Sequence, residues 1–156
     1  MIRKLIFSAL CVTALAAAGT PAFAKDKSFG LGFILGEPTG IDVKFWLANE
    51  HALEFGAAWS LSGNNEFHLQ GDYLFHKFDV FQLKNSDAFP LFFGVGARMI
   101  LVDNYDDTFG IRFPVGLAYI FANYPFDIFG EIVPILDVAP DTDFDLEGAI
   151  GARFWF

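Results

Sequence analysis

Residues 144–156 alternate without a break, and no other feature of the chain constrains its fold as strongly. Phe144, Leu146, Gly148, Ile150, Ala152, Phe154 and Phe156 share one parity, and none is polar. Asp145, Glu147, Ala149, Gly151, Arg153 and Trp155 share the other. A period of two belongs to a β-strand with two unlike faces. Segment 109–121 repeats it: Phe109, Ile111, Phe113, Val115, Leu117, Tyr119 and Phe121 oppose Gly110, Arg112, Pro114, Gly116, Ala118 and Ile120. Six further segments, roughly 28–35, 40–47, 52–61, 66–76, 89–102 and 127–137, carry the same pattern less perfectly. The reading is all-β, with eight antiparallel strands in up-and-down order.

Three observations decide which face meets solvent. The polar parity is rich in Gly and Ala, which suits a narrow interior better than a wetted surface. The other parity is bulky at nearly every position, in a chain that is 18% aromatic with 21 Phe. That is more volume than a core of this chain length holds comfortably. The segments also approach the ~9–11 residues with which a tilted strand crosses a bilayer. The sequence therefore predicts a closed eight-stranded transmembrane barrel, apolar outside and polar within.

The N-terminus reads as an export signal. Arg3 and Lys4 precede an apolar run from Leu5 to Ala18, and Ala22-Phe23-Ala24 fits a cleavage site. Residues 1–24 are expected to be removed after Ala24, leaving one domain over 25–156. Cys11, the only cysteine, leaves with that segment. The mature chain is then thiol-free and folds without a disulfide. The net charge is −9, with a pI near 4.5. Losing Arg3 and Lys4 makes the charge more negative still, and this balance excludes nucleic acid as a partner.

Short turns are expected at 36–39, 48–51 and 62–65, with acidic loops at 103–108 and 138–143. If both termini are periplasmic, 36–39, 62–65, 103–108 and 138–143 face outward. The 77–88 connection is the longest and reads as an extension of two strands. Pro114 and Pro134 fall inside predicted strands; a closed barrel has no edge to hide a missing N–H, so each implies a bulge or a displaced boundary.

Gly151-Ala152-Arg153-Phe154-Trp155-Phe156 resembles the C-terminal β-signal of bacterial outer-membrane proteins, a glycine followed by alternate aromatics and a final Phe. Ala149 stands where that pattern prefers a polar residue. Gly30-Leu31-Gly32, Gly36 to Gly40, Lys44-Phe45-Trp46-Leu47 and Asp72-Tyr73-Leu74-Phe75-His76 resemble a family of small Gram-negative outer-membrane barrels. These are similar in architecture to the OmpA transmembrane domain and OmpX. The resemblance spans nearly all of 28–156. It implies outer-membrane lipid and lipopolysaccharide as surroundings, and the assembly machinery and periplasmic chaperones as partners, with Gly151, Phe154 and Phe156 as the assembly signal.

The polar parity collects Asp42, Lys44, Glu54, Asp72, Arg98, Arg112, Glu131, Asp145, Glu147 and Arg153. An eight-stranded interior is wide enough only for side chains, so these groups should pair in a luminal network. Exchange of such pairs could open a narrow gated ion path. Some outer-membrane barrels modify lipid A, and His68 with Ser60 or Ser62 flanks one hairpin. The motifs of those enzymes are absent, and His51, His68 and His76 read as interfacial or luminal polar residues. Asp141-Thr142-Asp143-Phe144-Asp145 lacks the glycine of a calcium loop, since Leu146 stands at its sixth position. Acidic loops could still share divalent cations with lipopolysaccharide phosphates. Aromatics are expected in two belts: Trp59, Phe67, Phe109 and Phe144 at one end, and Phe45, Tyr73, Phe75, Tyr119, Phe121, Phe154 and Phe156 at the other. The expected role is structural, with no open pore, catalysis, cofactor or metal.

Overall fold

The computed structural model describes residues 27–37, 39–60 and 66–156. The predicted leader and its cleavage site, Pro38 and the 62–65 turn lie outside the described residues. Strands β1 (Phe29–Gly36), β2 (Gly40–Trp46), β3 (His51–Ser60), β4 (Glu66–Lys77), β5 (Leu91–Val102), β6 (Thr108–Arg112), β7 (Val115–Ile120), β8 (Phe126–Ala139) and β9 (Asp143–Trp155) form one antiparallel sheet. Strands β1 to β5 pair in sequence order, β6 and β7 each pair with β5 and β8, β8 pairs with β9, and β1 pairs with β9 from Gly30↔Trp155 to Gly36↔Ala149. The sheet is thereby a ring, with β6 and β7 acting as one stave between β5 and β8. Closure satisfies the ladder bonds that an open edge would leave bare, as a wall within lipid requires.

The faces are those the parity predicts. Phe33, Ile132, Phe144 and Ile150 are exposed, while Asp42, Lys44, Glu54, Arg112 and Arg153 are almost wholly buried. Large apolar side chains outside and charges inside invert the arrangement of a water-soluble protein.

The predicted strand 109–121 is two strands. It breaks at Phe113-Pro114, while the in-and-out alternation runs on through the break. The Gly94 N–H donates to the Pro114 carbonyl at 2.9 Å, and the Phe113 N–H donates to the Pro134 carbonyl at 2.9 Å. Neither proline can donate in return. Each junction therefore keeps one ladder bond where two would form, on the two sides of the same stave. Pro134 stays inside β8, opposite Leu146.

The long connection also differs from expectation. β4 ends at Lys77 and β5 starts at Leu91, so residues 78–90 are a connection rather than two strand extensions. Only Ala88 bridges, to Ile120. Asp87 pins the segment to the wall: its carboxylate accepts from the Tyr119 hydroxyl at 2.6 Å and the Ala122 N–H at 2.8 Å. Those bonds, the backbone one foremost, hold this carboxyl below the usual carboxylate range.

The start of β1 and the end of β9 lie at one end of the barrel, where the Phe156 N–H donates to the Phe29 carbonyl at 2.9 Å. The β2–β3, β4–β5 and β7–β8 connections share this terminal end. The β5–β6 and β8–β9 connections lie at the opposite, loop end, where β1 and β3 finish and β2 and β4 begin.

A charged lumen as the candidate functional site

Every strand except the short β7 contributes a charged or polar side chain to the interior, or clears space for one. Near the terminal end, Arg153 of β9 meets carboxylates from three other strands. Its Nη1 donates to Asp42 Oδ2 at 3.1 Å and to Glu54 Oε2, and its Nε donates to Asp127 Oδ1 at 3.0 Å. The guanidinium also lies 4.0 Å from the centre of the Phe129 ring, a cation–π geometry. Lys44 Nζ is 3.4 Å from Glu54 Oε2 and 2.9 Å from His76 Nε2. Trp155 Nε1 donates to Asp127 Oδ2 at 3.2 Å. The Trp46 and Trp155 rings, 6.1 Å apart, close over this cluster.

Arg112 occupies the middle. Its Nε donates to Asp72 Oδ1 at 3.1 Å and its Nη1 to Glu147 Oε2 at 3.1 Å, while Glu131 Oε1 stands 3.8 Å from Nη2. Toward the loop end, Arg98 grips Asp137 through both Nε and Nη2. Its Nη1 donates to Glu147 Oε1, and its Nη2 also reaches Asp145 Oδ2 at 3.0 Å. Glu147 thus links Arg98 and Arg112 into one chain of ion pairs.

Glycine makes room for these groups. A Cβ at Gly96 would overlap Asp72 Oδ1, and one at Gly110 would overlap Asp137 Oδ1. The two strands that carry Arg98 and Arg112 therefore need glycine where the partner carboxylates cross them.

Of the ten residues expected in the luminal network, Asp42, Lys44, Glu54, Asp72, Arg98, Arg112, Glu131, Glu147 and Arg153 are buried in the interior, whereas Asp145 is exposed and reaches Arg98 from the rim. Asp127 and Asp137 complete it and were missed. Both share the parity of Glu131 in β8, so the same alternation marks them. The lumen is also less polar than expected. Ile34, Leu74, Phe92, Ala118, Phe129 and Ala149 form an apolar cluster between the charged side chains, because these positions fall on the luminal parity. Seven buried carboxylates face four buried cations, so the interior is net acidic.

The histidines have local partners. His51 Nδ1 is 2.9 Å from the Tyr73 hydroxyl, and His68 Nε2 is 3.5 Å from Glu66 Oε2. Ser62 and the Ser60 side chain, the serines considered with His68, lie outside the described residues. The Asp145 carboxylate turns to Arg98 rather than toward Asp141 and Asp143. Among the described residues no group of His, Asp or Glu has the geometry to hold a metal ion.

The residues expected to form an assembly signal are split between faces. Gly151 faces inward, where a Cβ would overlap the Phe129 ring. Phe154 and Phe156 face outward with ring centres 4.9 Å apart. At the terminal end, the rings of Tyr73 and Phe75, of Tyr119 and Phe121, and of Phe154 and Phe156 meet in three pairs, and Trp59 meets Phe67 near the loop end.

No protein-family model matches the sequence. No curated protein matches it either. Among solved structures, the chain is similar to the N-terminal β-barrel domain of Pseudomonas aeruginosa OprF, at 14% identity and a TM-score of 0.49. The match covers 83% of this chain and 96% of the OprF domain.

Proposed function

We propose that this protein is an integral outer-membrane barrel with a structural, envelope-stabilising role, exported by a leader cleaved after Ala24. Its lumen is plugged by its own ion pairs, conducts no steady current and performs no catalysis. The observation that carries the reading is the inverted surface. A ring of exposed Phe, Ile, Leu and Val surrounds an interior in which Lys44, Arg98, Arg112 and Arg153 are all paired with carboxylates. A shell of that kind is stable only where apolar groups surround it. The export signal and the β-signal resemblance support the outer membrane as its location. They also support the assembly machinery and periplasmic chaperones as transient partners, with lipid and lipopolysaccharide as permanent surroundings.

The test joins fractionation to electrophysiology. The protein should partition with outer membranes, migrate differently on gels before and after heating, and give no steady single-channel current in planar bilayers. A soluble periplasmic form would overturn the membrane reading, and large steady currents would overturn the plug. Replacing Phe154 and Phe156 together by Ala should slow insertion and leave protein in the periplasm. Normal insertion of that double variant would remove the assembly role of the C-terminus.

A further inference from the structure

Residues 78–90 carry apolar side chains that a water-facing connection does not need. Phe78 turns into the lumen mouth, where its ring lies 6.2 Å from Trp46 and 6.3 Å from His76. Three residues later the chain has crossed the rim. Phe81 contacts Phe89 at 5.5 Å, Phe89 contacts Tyr119 at 6.1 Å, and Tyr119 contacts Phe121 at 4.8 Å. Tyr119 belongs to the outward parity of β7, and Phe89 lines a groove on the outside of the wall with Phe33, Leu117 and Ile128. Phe81 is therefore joined to the external face through Phe89. Around it Val80, Phe81 and Leu83 remain 49%, 44% and 38% exposed.

Asp87 fixes this geometry. Its bonds to Tyr119 and Ala122, with a further one from Asn85 Nδ2 at 2.8 Å, tie the returning limb to the end of β7. Asp87 is partly buried, and its bonds place its carboxylate at the end of β7. The apolar tip is continuous with the aromatic belt through Phe89. Aromatic rings with a polar edge favour the headgroup boundary of a bilayer, and apolar side chains beside them gain by burial among acyl chains.

We propose that the 78–90 connection is a membrane-interface anchor, which inserts Val80, Phe81 and Leu83 into the lipid leaflet at the terminal end of the barrel. It is a non-strand segment that binds phospholipid from outside the ring. It also fixes how deep the barrel sits, since Asp87 stays in water while Phe81 lies among acyl chains. This inference rests on the membrane-barrel reading above.

The sole cysteine, Cys11, lies in the predicted leader, so single-cysteine variants of the mature chain carry one label each. Spin labels at Phe81→Cys and Leu83→Cys, with Val115→Cys and Ile150→Cys as wall references and Asn85→Cys as an aqueous one, are read in phosphatidylcholine vesicles. Heat-modifiability first confirms that each variant is folded. Collisions with oxygen relative to a water-soluble nickel complex should be several-fold higher at Phe81 and Leu83 than at Asn85, and of the order found at the wall. Nickel-dominated labels at Phe81 and Leu83, with oxygen-dominated labels at the wall, would overturn the anchor alone. Labels at Phe81 and Leu83 shielded from both reagents would also overturn it, because protein rather than lipid would cover the segment. Nickel-dominated labels at Val115 and Ile150 as well would overturn the membrane-barrel reading itself.

Discussion

Arg153 and Arg98 make the same chemical contacts in different solvents. Each guanidinium meets three carboxylates, from β2, β3 and β8 at Arg153 and from β8 and β9 at Arg98. The side chains of Arg153 and its partners Asp42, Glu54 and Asp127 are 0–1% exposed. Arg98 is 6% exposed, and its partner Asp145 is 49% exposed. The tryptophan pair closes the terminal end over Arg153, whereas the loop end leaves Arg98 near water. An ion pair cut off from water holds its partners far more firmly than the same pair beside bulk solvent, because removing one member strands a charge that nothing can hydrate. The lumen therefore has a dry, fastened half and a wetter, exchangeable half, joined through Glu147 and Arg112.

Substitutions along that axis should fall in order. Arg153→Ala leaves Asp42, Glu54 and Asp127 buried with only Lys44 to balance them, and should lower stability by roughly 3–5 kcal/mol, read by urea unfolding in lipid vesicles. Arg112→Ala strands Asp72 but leaves Glu147 to Arg98, and should cost about 3 kcal/mol in the same assay. Arg98→Ala should cost about 1–2 kcal/mol, because Asp145 is open to water and Glu147 keeps Arg112, which leaves Asp137 as the one stranded carboxylate. The Arg98 loss should also shrink as salt is raised, while that of Arg153 should not. Asp145→Asn should change stability by less than about 1 kcal/mol. Equal losses at Arg153 and Arg98, or a salt-sensitive loss at Arg153, would break the distinction between the two halves.

Glu131→Gln sharpens it. The carboxylate stands 3.8 Å from Arg112, and its Oε2 has no partner among the described residues. An amide keeps an acceptor there and removes one negative charge from an acid-rich interior. That variant should be close to neutral in unfolding, in contrast to Arg112→Ala. A loss as large as that of Arg112→Ala would show that Glu131 holds the middle of the lumen more tightly than its distance indicates.

The wall was legible in the sequence because period-two alternation is a local property. Reading β9 and β2 residue by residue places Arg153, Glu147, Asp42 and Lys44 inside with no knowledge of what they touch. The same parity extends through Asp127 and Asp137, which were lost only because β8 was read as a segment and not face by face. Pairing was not legible. Arg153 meets Asp42 across β1, and Arg98 shares Glu147 with Arg112; these meetings depend on how the ring closes and on strand stagger. The stave break at Pro114 was visible as a conflict between proline and a closed ladder, though nothing local shows that the break would sit beside Pro134. The 77–88 connection was misread because Phe, Val and Leu mark strands, and here they sit in a connection held by Asp87 instead.

The central claim is that the apolar parity faces lipid and the charged parity faces inward, and accessibility at the most exposed apolar positions tests it directly. Spin labels at Phe33→Cys and Ile132→Cys, in the thiol-free mature chain reconstituted in phosphatidylcholine vesicles, should collide mainly with oxygen and hardly with a water-soluble nickel complex. A label at Asp106→Cys in the β5–β6 connection should show the opposite preference. Nickel-dominated collisions at Phe33 and Ile132 would mean that the bulky face meets water and would contradict the account.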